Sequence, residues 1–286
     1  MCDRMKKGER FFLITVLVMV CLGIWILWAD TALEVNEYEI AGERIPGSFD
    51  GFRIAQISDL HNAQFGDGNI KLLRLLVQSE PDIIVITGDM IDSRHTDVGI
   101  ALDFARQAVK IAPVYYVPGN HESRVVEYEA LKMGLIDAGV EVMENQKGRI
   151  SRGGECITLL GIRDPAFRDK HFIEDEKSVA RRSIEELQEE SDGYTVLLSH
   201  RPELFELYVD TGLDLVFTGH AHGGQFRLPF VGGLVAPHQG FFPEYDGGQF
   251  TEGYTTMMVS RGVGNSIIPI RFNNRPEIVL VSLKCK

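Results

Sequence analysis

Cysteine is scarce in this 286-residue chain: four residues, at 2, 21, 156 and 285, with no CxxC spacing among them. That excludes a disulfide framework and leaves room for at most one bond, between Cys156 and Cys285, in the main body of the chain. Positive charge is also short. Lys and Arg number 29 against 41 Asp and Glu, for a formal net charge of −12. Residues 1–10 carry +2, so the rest of the chain carries −14. A body that acidic is poorly built to neutralise a phosphate backbone, and long nucleic acid is not an expected partner. The chain shows no internal repeat. It also has no lipobox before Cys21, because Val20 stands where a small residue would be needed.

Charge is missing altogether from residues 11–29, FFLITVLVMVCLGIWILWA. At about 1.5 Å per residue this run spans roughly 28 Å as a helix, close to the hydrocarbon core of a bilayer. The competing reading is a cleaved signal peptide, whose apolar region is usually about 7–15 residues and ends in a small-x-small site. Here the run is longer, and the following WADTALE offers only a weak cleavage option after Ala32. The expectation is an uncleaved anchor. Arg4, Lys6, Lys7 and Arg10 precede the run, whereas only Arg44 is basic in the fifteen or so residues after it. The positive-inside rule then places the N-terminus in the cytoplasm and the main domain outside. The expected organisation is a cytoplasmic tail at 1–10, a transmembrane anchor at 11–29, a juxtamembrane connector with an edge strand at 30–51, and one main domain at 52–286. The connector is too short for a flexible stalk, so the domain should sit against the membrane surface.

Beyond the anchor, apolar β-rich runs alternate with helix-like stretches. FRIAQIS (52–58), DIIVIT (82–87), VYYV (114–117), CITLLGI (156–162), TVLLS (195–199), DLVFT (214–218), TTMMVS (255–260) and EIVLVSL (277–283) read as strands. Helices are expected at 70–80, 97–112, 125–138 and, heavily charged, 174–190. Continuous apolar strands alternating with helices argue for an α/β fold with buried sheets. Because the late strands lack intervening helices, the expected fold class is a layered α/β/β/α sandwich of two mixed sheets flanked by helices. Residues 223–248, rich in Gly, Pro and aromatics, read as one long loop, of the kind that is often functional.

Metal-capable residues follow five of these strands. Asp59 and His61 come after the first, Asp89 and Asp92 after the second, and Asn120, His121 and Glu122 after the third. His200 follows the TVLLS strand, and His220 and His222 follow DLVFT within GHAHGG. Taken singly, most of these read more readily as ordinary turn or core residues than as ligands, and only GHAHGG is evenly balanced. Together they place five of the eight histidines at strand ends, where open α/β sheets bind ligands. Two ions about 3.5–4 Å apart need a bridging carboxylate, expected to use both oxygens. A mixture of imidazole, carboxylate and amide oxygen suits Mn, Fe or Zn better than Mg or Ca. His95, His171 and His238 fit no motif and read as surface or supporting residues, and Asp92 reads as structural. Phe226, Phe230, Phe241, Phe242 and Tyr245 read either as loop packing or as an apolar wall for a lipid or sugar moiety.

The ordered series D-x-H, G-D-x-x-D, G-N-H-E, H and G-H-A-H resembles the full motif set of the calcineurin-like metallophosphoesterases, over residues 52 to about 283. GHAHGGQFRLP, SRGVGNS and RFNNRPEIVLVSL are similar to a bacterial membrane-associated subfamily, some of whose relatives act on lipid-linked substrates. The resemblance implies that Asp59, His61 and His222 hold one ion, that Asp89 bridges, and that Asn120, His200 and His220 complete the second. It implies a binuclear site of Mn or Fe, with Zn as an option, and hydrolysis of a phosphodiester or phosphomonoester by metal-activated hydroxide. His121 is implied as the group that contacts the substrate phosphate and protonates the leaving group, with Glu122 orienting it. The expected partners are a small phosphoester or lipid-linked substrate and the membrane. Alternatives are a nucleotide-directed phosphodiesterase or nuclease with the same site, and a non-catalytic metal-binding scaffold. GDMIDSR lacks the Arg-Gly that follows the second Asp in the family's phosphoprotein phosphatases, which argues against that activity. Ala221 replaces a Thr at a non-ligand position.

Overall fold

The structure is a computed structural model that describes residues 7–168, 174–189, 191, 193–265 and 269–286. His171 and the basic residues Arg4 and Lys6 lie outside the described residues. The chain opens with helix α1 (Lys7–Thr31), 25 residues long and apolar on all sides, with only Ala29 buried. It is long and apolar enough to cross a membrane. Strand β1 (Glu34–Gly42) follows within three residues.

The first half of the remaining chain alternates β2 (Arg53–Ile57), α2 (Ile70–Gln78), β3 (Ile83–Thr87), α3 (Val98–Ala108), β4 (Val114–Val117), α4 (Tyr128–Ala138) and the short β5 (Glu141–Val142). The second half runs β6 (Gln146–Arg152), β7 (Glu155–Gly161), α5 (Glu176–Gln188), β8 (Thr195–Leu198), α6 (Phe205–Asp210) and β9 (Leu215–Thr218). Two small hairpins come next: β10 (Arg227–Leu228) with β11 (Gly232–Gly233), and β12 (Val235–Ala236) with β13 (Gly240–Phe241). β14 (Gly248–Glu252), β15 (Thr255–Val259) and β16 (Glu277–Cys285) close the fold.

The main strands form two six-stranded mixed sheets, in the orders β1-β16-β2-β3-β4-β5 and β14-β15-β9-β8-β7-β6. Side chains alternate across each strand. Ile54, Val85 and Val117 thus meet Leu159, Val196, Leu215, Phe217 and Met258 between the sheets. Ala55, Ile57, Ile84 and Ile86 face α2, α3 and α4 instead. On the other outer surface Val216, Leu160 and Met257 pack against α5 and α6. The result is the expected α/β/β/α sandwich. The polar Gln56 crosses the inter-sheet core: its Nε2 donates to Thr87 Oγ1 at 2.9 Å and to the Thr218 carbonyl at 2.8 Å. It thereby ties the two sheets together at the ends of β3 and β9.

Several elements differ from the sequence expectation. Residues 223–248 are not a plain loop, since they fold into the two hairpins before β14. β6 and α6 have no counterpart in the sequence reading, because QKGRISR is an edge strand with little buried surface and FELYVD is too short to show a period.

Strand direction fixes where helix α1 joins the domain. β16 runs antiparallel to β2, and β1 runs parallel to β16. The N-terminal end of β1 therefore lies at the carboxyl end of β2. Glu34 pairs with Glu277, and Val279 pairs with Gln56, so continuing that register puts Glu277 level with Ser58. Two strand spacings, about 10 Å in all, separate Glu34 from the backbone next to Asp59. The exit of α1 is clamped to this end of the sheet. Asp30 Oδ1 accepts from the Arg271 N–H at 2.6 Å, and Arg275 donates to the carbonyls of Ala32 and Leu33. Arg275 also lies over the Trp28 ring at 4.9 Å. Arg261 joins Glu34 to the buried Glu277.

Candidate metal centre

The loops that leave β2, β3, β4, β8 and β9 converge at the carboxyl ends of the strands, and their backbones are tied to one another. Asp59 N–H donates to the Gly88 carbonyl, His61 N–H to the Asp89 carbonyl and Gly219 N–H to the His200 carbonyl. Five of the seven expected ligands, namely Asp59, His61, Asp89, His220 and His222, stand in the left-handed region, with φ between 45° and 65°. Side chains seldom accept that conformation, and where they do it marks a geometry the surrounding structure enforces. All seven are buried, as are His121 and Glu122.

The donor atoms form two groups that share one carboxylate. In the first, His222 Nε2 lies 3.2 Å from both His61 Nε2 and Asp59 Oδ1, and His61 Nε2 lies 3.5 Å from Asp89 Oδ2. In the second, His200 Nε2 lies 3.2 Å from both Asp89 Oδ2 and Asn120 Oδ1, with His220 alongside. A metal with ligand distances of about 2.0–2.2 Å requires ligand-to-ligand edges of roughly 3.0–3.5 Å, from elementary tetrahedral or octahedral geometry. The observed spacings match those edges, so the donor set fits a pair of ions. The bridging carboxylate differs from the sequence expectation in one respect. Asp89 faces both groups with Oδ2 alone, because its Oδ1 accepts the His121 backbone N–H at 2.8 Å.

Hydrogen bonds sort the imidazole tautomers. His200 Nδ1 is 2.7 Å from the Thr87 carbonyl, which can only accept, so this nitrogen carries a proton and Nε2 faces two oxygens. Without an ion that crowding must be relieved by a second proton. Burial alone would lower the His200 pKa, but the Asp89 carboxylate and its hydrogen bond lift it to about 10. A cation is required at that point, and either a proton or a metal ion can supply it. On the other side burial drives His61 down to about 3 and keeps it neutral. Burial would raise Asp59, but the His222 imidazole holds it near 2. His61 Nδ1 and His222 Nδ1 have no hydrogen-bond partner among the described residues, although both are shielded from water.

His121 is set apart from both groups. Its Nδ1 accepts the Ser93 backbone N–H at 3.0 Å, which leaves Nε2 as the nitrogen that carries the proton in the neutral ring. Burial lowers its pKa and favours that neutral form. The ring meets His61 edge to face at 4.5 Å. Glu122 does not pair with it as expected. Its carboxylate accepts the N–H groups of Asp89, Gly119 and Ile91 at 2.8–3.3 Å, lacing the β3 and β4 loops together. Burial and the Asp89 carboxylate push Glu122 up to about 8. Asp92 is structural, gripped by Arg94 at 2.6 Å and 3.1 Å.

Two residues support the donors from behind: His238, read from the sequence as surface or supporting, and Arg201, which the sequence did not single out. His238, at the turn of the β12–β13 hairpin, places Nδ1 2.9 Å from His220 Nε2, which leaves His220 Nδ1 for an ion. Arg201, next to His200 in the chain, is fully buried, forks onto Asp164 at 2.5 Å and 2.8 Å and touches His238. Glu203, His220 and His238 also cluster, but the Arg201 guanidinium 2.9–3.1 Å from His238 makes that cluster unsuited to a cation. Adjacency of Arg201 to His200 was the only sequence signal.

Glycine is essential where the loops touch. A Cβ added at Gly219 would overlap the Ser58 hydroxyl and the Asp59 carboxylate, and one at Gly119 would strike Asp89.

The profile of the calcineurin-like phosphoesterase family matches residues 52–224. The metallophosphoesterase YkuE of Bacillus subtilis is 31% identical over 259 residues, covering 88% of this chain and 86% of its own length. The phosphodiesterase YaeI of Escherichia coli is 28% identical over 238 residues, covering 81% and 82% of the two chains. Among solved structures, TT1561 of Thermus thermophilus shares the fold with a TM-score of 0.50 at 16% identity, over 74% of this chain and 90% of that one.

An ion bound only by the folded state stabilises it by about 2.7 kcal/mol at one hundred times its dissociation constant. Adding Mn to chelator-stripped protein should therefore raise the melting temperature by roughly 5–10 °C. Gly219→Ala should cut that rise sharply while still giving one cooperative transition. Equal melting temperatures with and without metal would contradict the donor geometry.

Proposed function

The chain belongs to the calcineurin-like phosphoesterase family and is a metal-dependent phosphoester hydrolase, and from that premise we propose a membrane-anchored enzyme that opens a phosphodiester or phosphomonoester at the membrane or envelope. The observation that carries this reading is the pair of donor groups sharing Asp89 Oδ2, with the proton-bearing His121 beside them. Asp59, His61, His222 and Asp89 would hold one ion, and Asp89, Asn120, His200 and His220 the other, with Mn or Fe best matched to the donor chemistry. Two such ions supply a water of lowered pKa and positive charge for the phosphoryl oxygens.

The chain's own residues do the rest. Thr87 and His238 hold the His200 and His220 rings so that one nitrogen of each faces inward. Glu122 fixes the β3 and β4 loops and thereby the distance between Asp89 and His121. Ser93 keeps the His121 proton on Nε2. As the new P–O bond to water forms and the ester P–O bond breaks, His121 Nε2 delivers that proton to the departing oxygen, a step worth roughly 10²–10⁴-fold. The printed name of YaeI, a phosphodiesterase, favours a diester substrate. The acidic body of the chain favours a small one over a nucleic acid.

Full-length protein loaded with Mn or Fe should hydrolyse bis-p-nitrophenyl phosphate. Asp89→Asn should reduce the rate to near background, and His121→Ala should lower kcat by about 10²–10⁴-fold while leaving metal content unchanged. A wild type no faster than Asp89→Asn would refute the reading. α1 is read as an uncleaved anchor with its N-terminus in the cytoplasm. Protease added to intact cells should accordingly digest residues 30–286, and their protection would reverse the proposed orientation.

A further inference from the structure

The hairpins after GHAHGG carry apolar side chains that the fold does not use. Phe230, Phe241 and Phe242 are exposed, Phe230 completely. Phe230 and Phe242 also stand at φ 67° and 55°, where a bulky residue is costly and Gly or Asn is the ordinary choice. Apolar rings are thus held outward at strained positions, against both the hydrophobic effect and backbone preference. Neither packing nor turn chemistry accounts for them, which points to an apolar environment outside the protein.

The connections of the anchor identify that environment. Asp30, at the end of α1, accepts the Arg271 N–H. The next residue, Phe272, bridges Phe226, and its carbonyl takes the Arg227 N–H at 2.9 Å. The β10–β11 hairpin therefore springs from backbone bonded to the anchor's exit, and Phe230 lies at most about 14 Å from Phe226. Trp25 and Trp28, on the last turns of α1, are the residue type that marks a bilayer interface. The metal-capable side chains lie at this same end of the sheet, beside the Glu34 end of β1.

We propose that Phe230, Phe241 and Phe242 seat in the leaflet from which α1 emerges, as a second membrane contact that holds the mouth of the metal centre against the bilayer. The substrate is then the phosphoester of an amphiphile, whose apolar part stays in the membrane while its phosphate reaches the donors. This rests on the membrane-anchored phosphoesterase reading and adds the direction from which substrate arrives.

The test uses the full chain with its four native cysteines replaced by serine and a single cysteine introduced by Phe230→Cys, Phe241→Cys or Ser151→Cys. Each is labelled with an environment-sensitive fluorophore and reconstituted into phosphatidylethanolamine–phosphatidylglycerol vesicles containing a lipid with a spin label on its acyl chain. Ser151 is exposed near the β6–β7 turn, at the end of the second sheet opposite the metal-capable loops. Labels at 230 and 241 should be quenched several-fold more strongly than the label at 151. Equal quenching at all three positions would overturn the proposal and leave these rings to a protein partner. Hydrolysis of bis-p-nitrophenyl phosphate by the same samples tests the enzymatic reading separately, because quenching does not depend on turnover.

Discussion

Asp59 and Asp89, four imidazoles and an amide oxygen are withdrawn from water and aimed at one another, an electrostatic demand that the surrounding loops are built to meet. Donor atoms of these groups stand 3.2–3.5 Å apart, and such contacts are favourable only where a proton or a metal ion lies between them. The Asp89 carboxylate raises the His200 pKa against the cost of burial and so favours positive charge at that point. Ions supply it without a second proton, so binding and folding are linked at this site. The left-handed backbone at five of the seven donors is tolerated because neighbouring loops hold it by their own hydrogen bonds.

That arrangement explains several residues that otherwise look incidental. Glu122 spends its carboxylate on three backbone N–H groups and so sets the spacing of two loops. Gln56 joins the sheets immediately below those loops. Arg201 and His238 support His220 from behind, using a buried fork onto Asp164 as their fixed point. Each of these side chains acts on the donors through geometry.

Much of this was legible in the sequence because buried parallel strands write themselves as unbroken apolar runs. DIIVIT and VYYV became β3 and β4 almost residue for residue, and the polar residues after them landed at the site. Where the signal failed, it failed for physical reasons. β6 is an edge strand with little to bury, and the hairpins at 227–241 are too short and glycine-rich to show alternation. The contacts of His238 with His220 and of Glu122 with the loop amides are tertiary, and spacing along the chain carries no trace of them. Nor does a sequence show that β1 runs antiparallel to β2. That direction brings the end of an apolar helix beside Asp59 instead of the far end of the sheet.

The donors gather at the end of the sheet from which the apolar helix α1 departs. These donors are arranged as a pair of groups sharing Asp89 Oδ2. The most direct test is elemental analysis of purified full-length protein after reconstitution with Mn and removal of free metal. Two ions per chain are predicted, and a wild-type content of one ion or none would contradict the shared-carboxylate geometry.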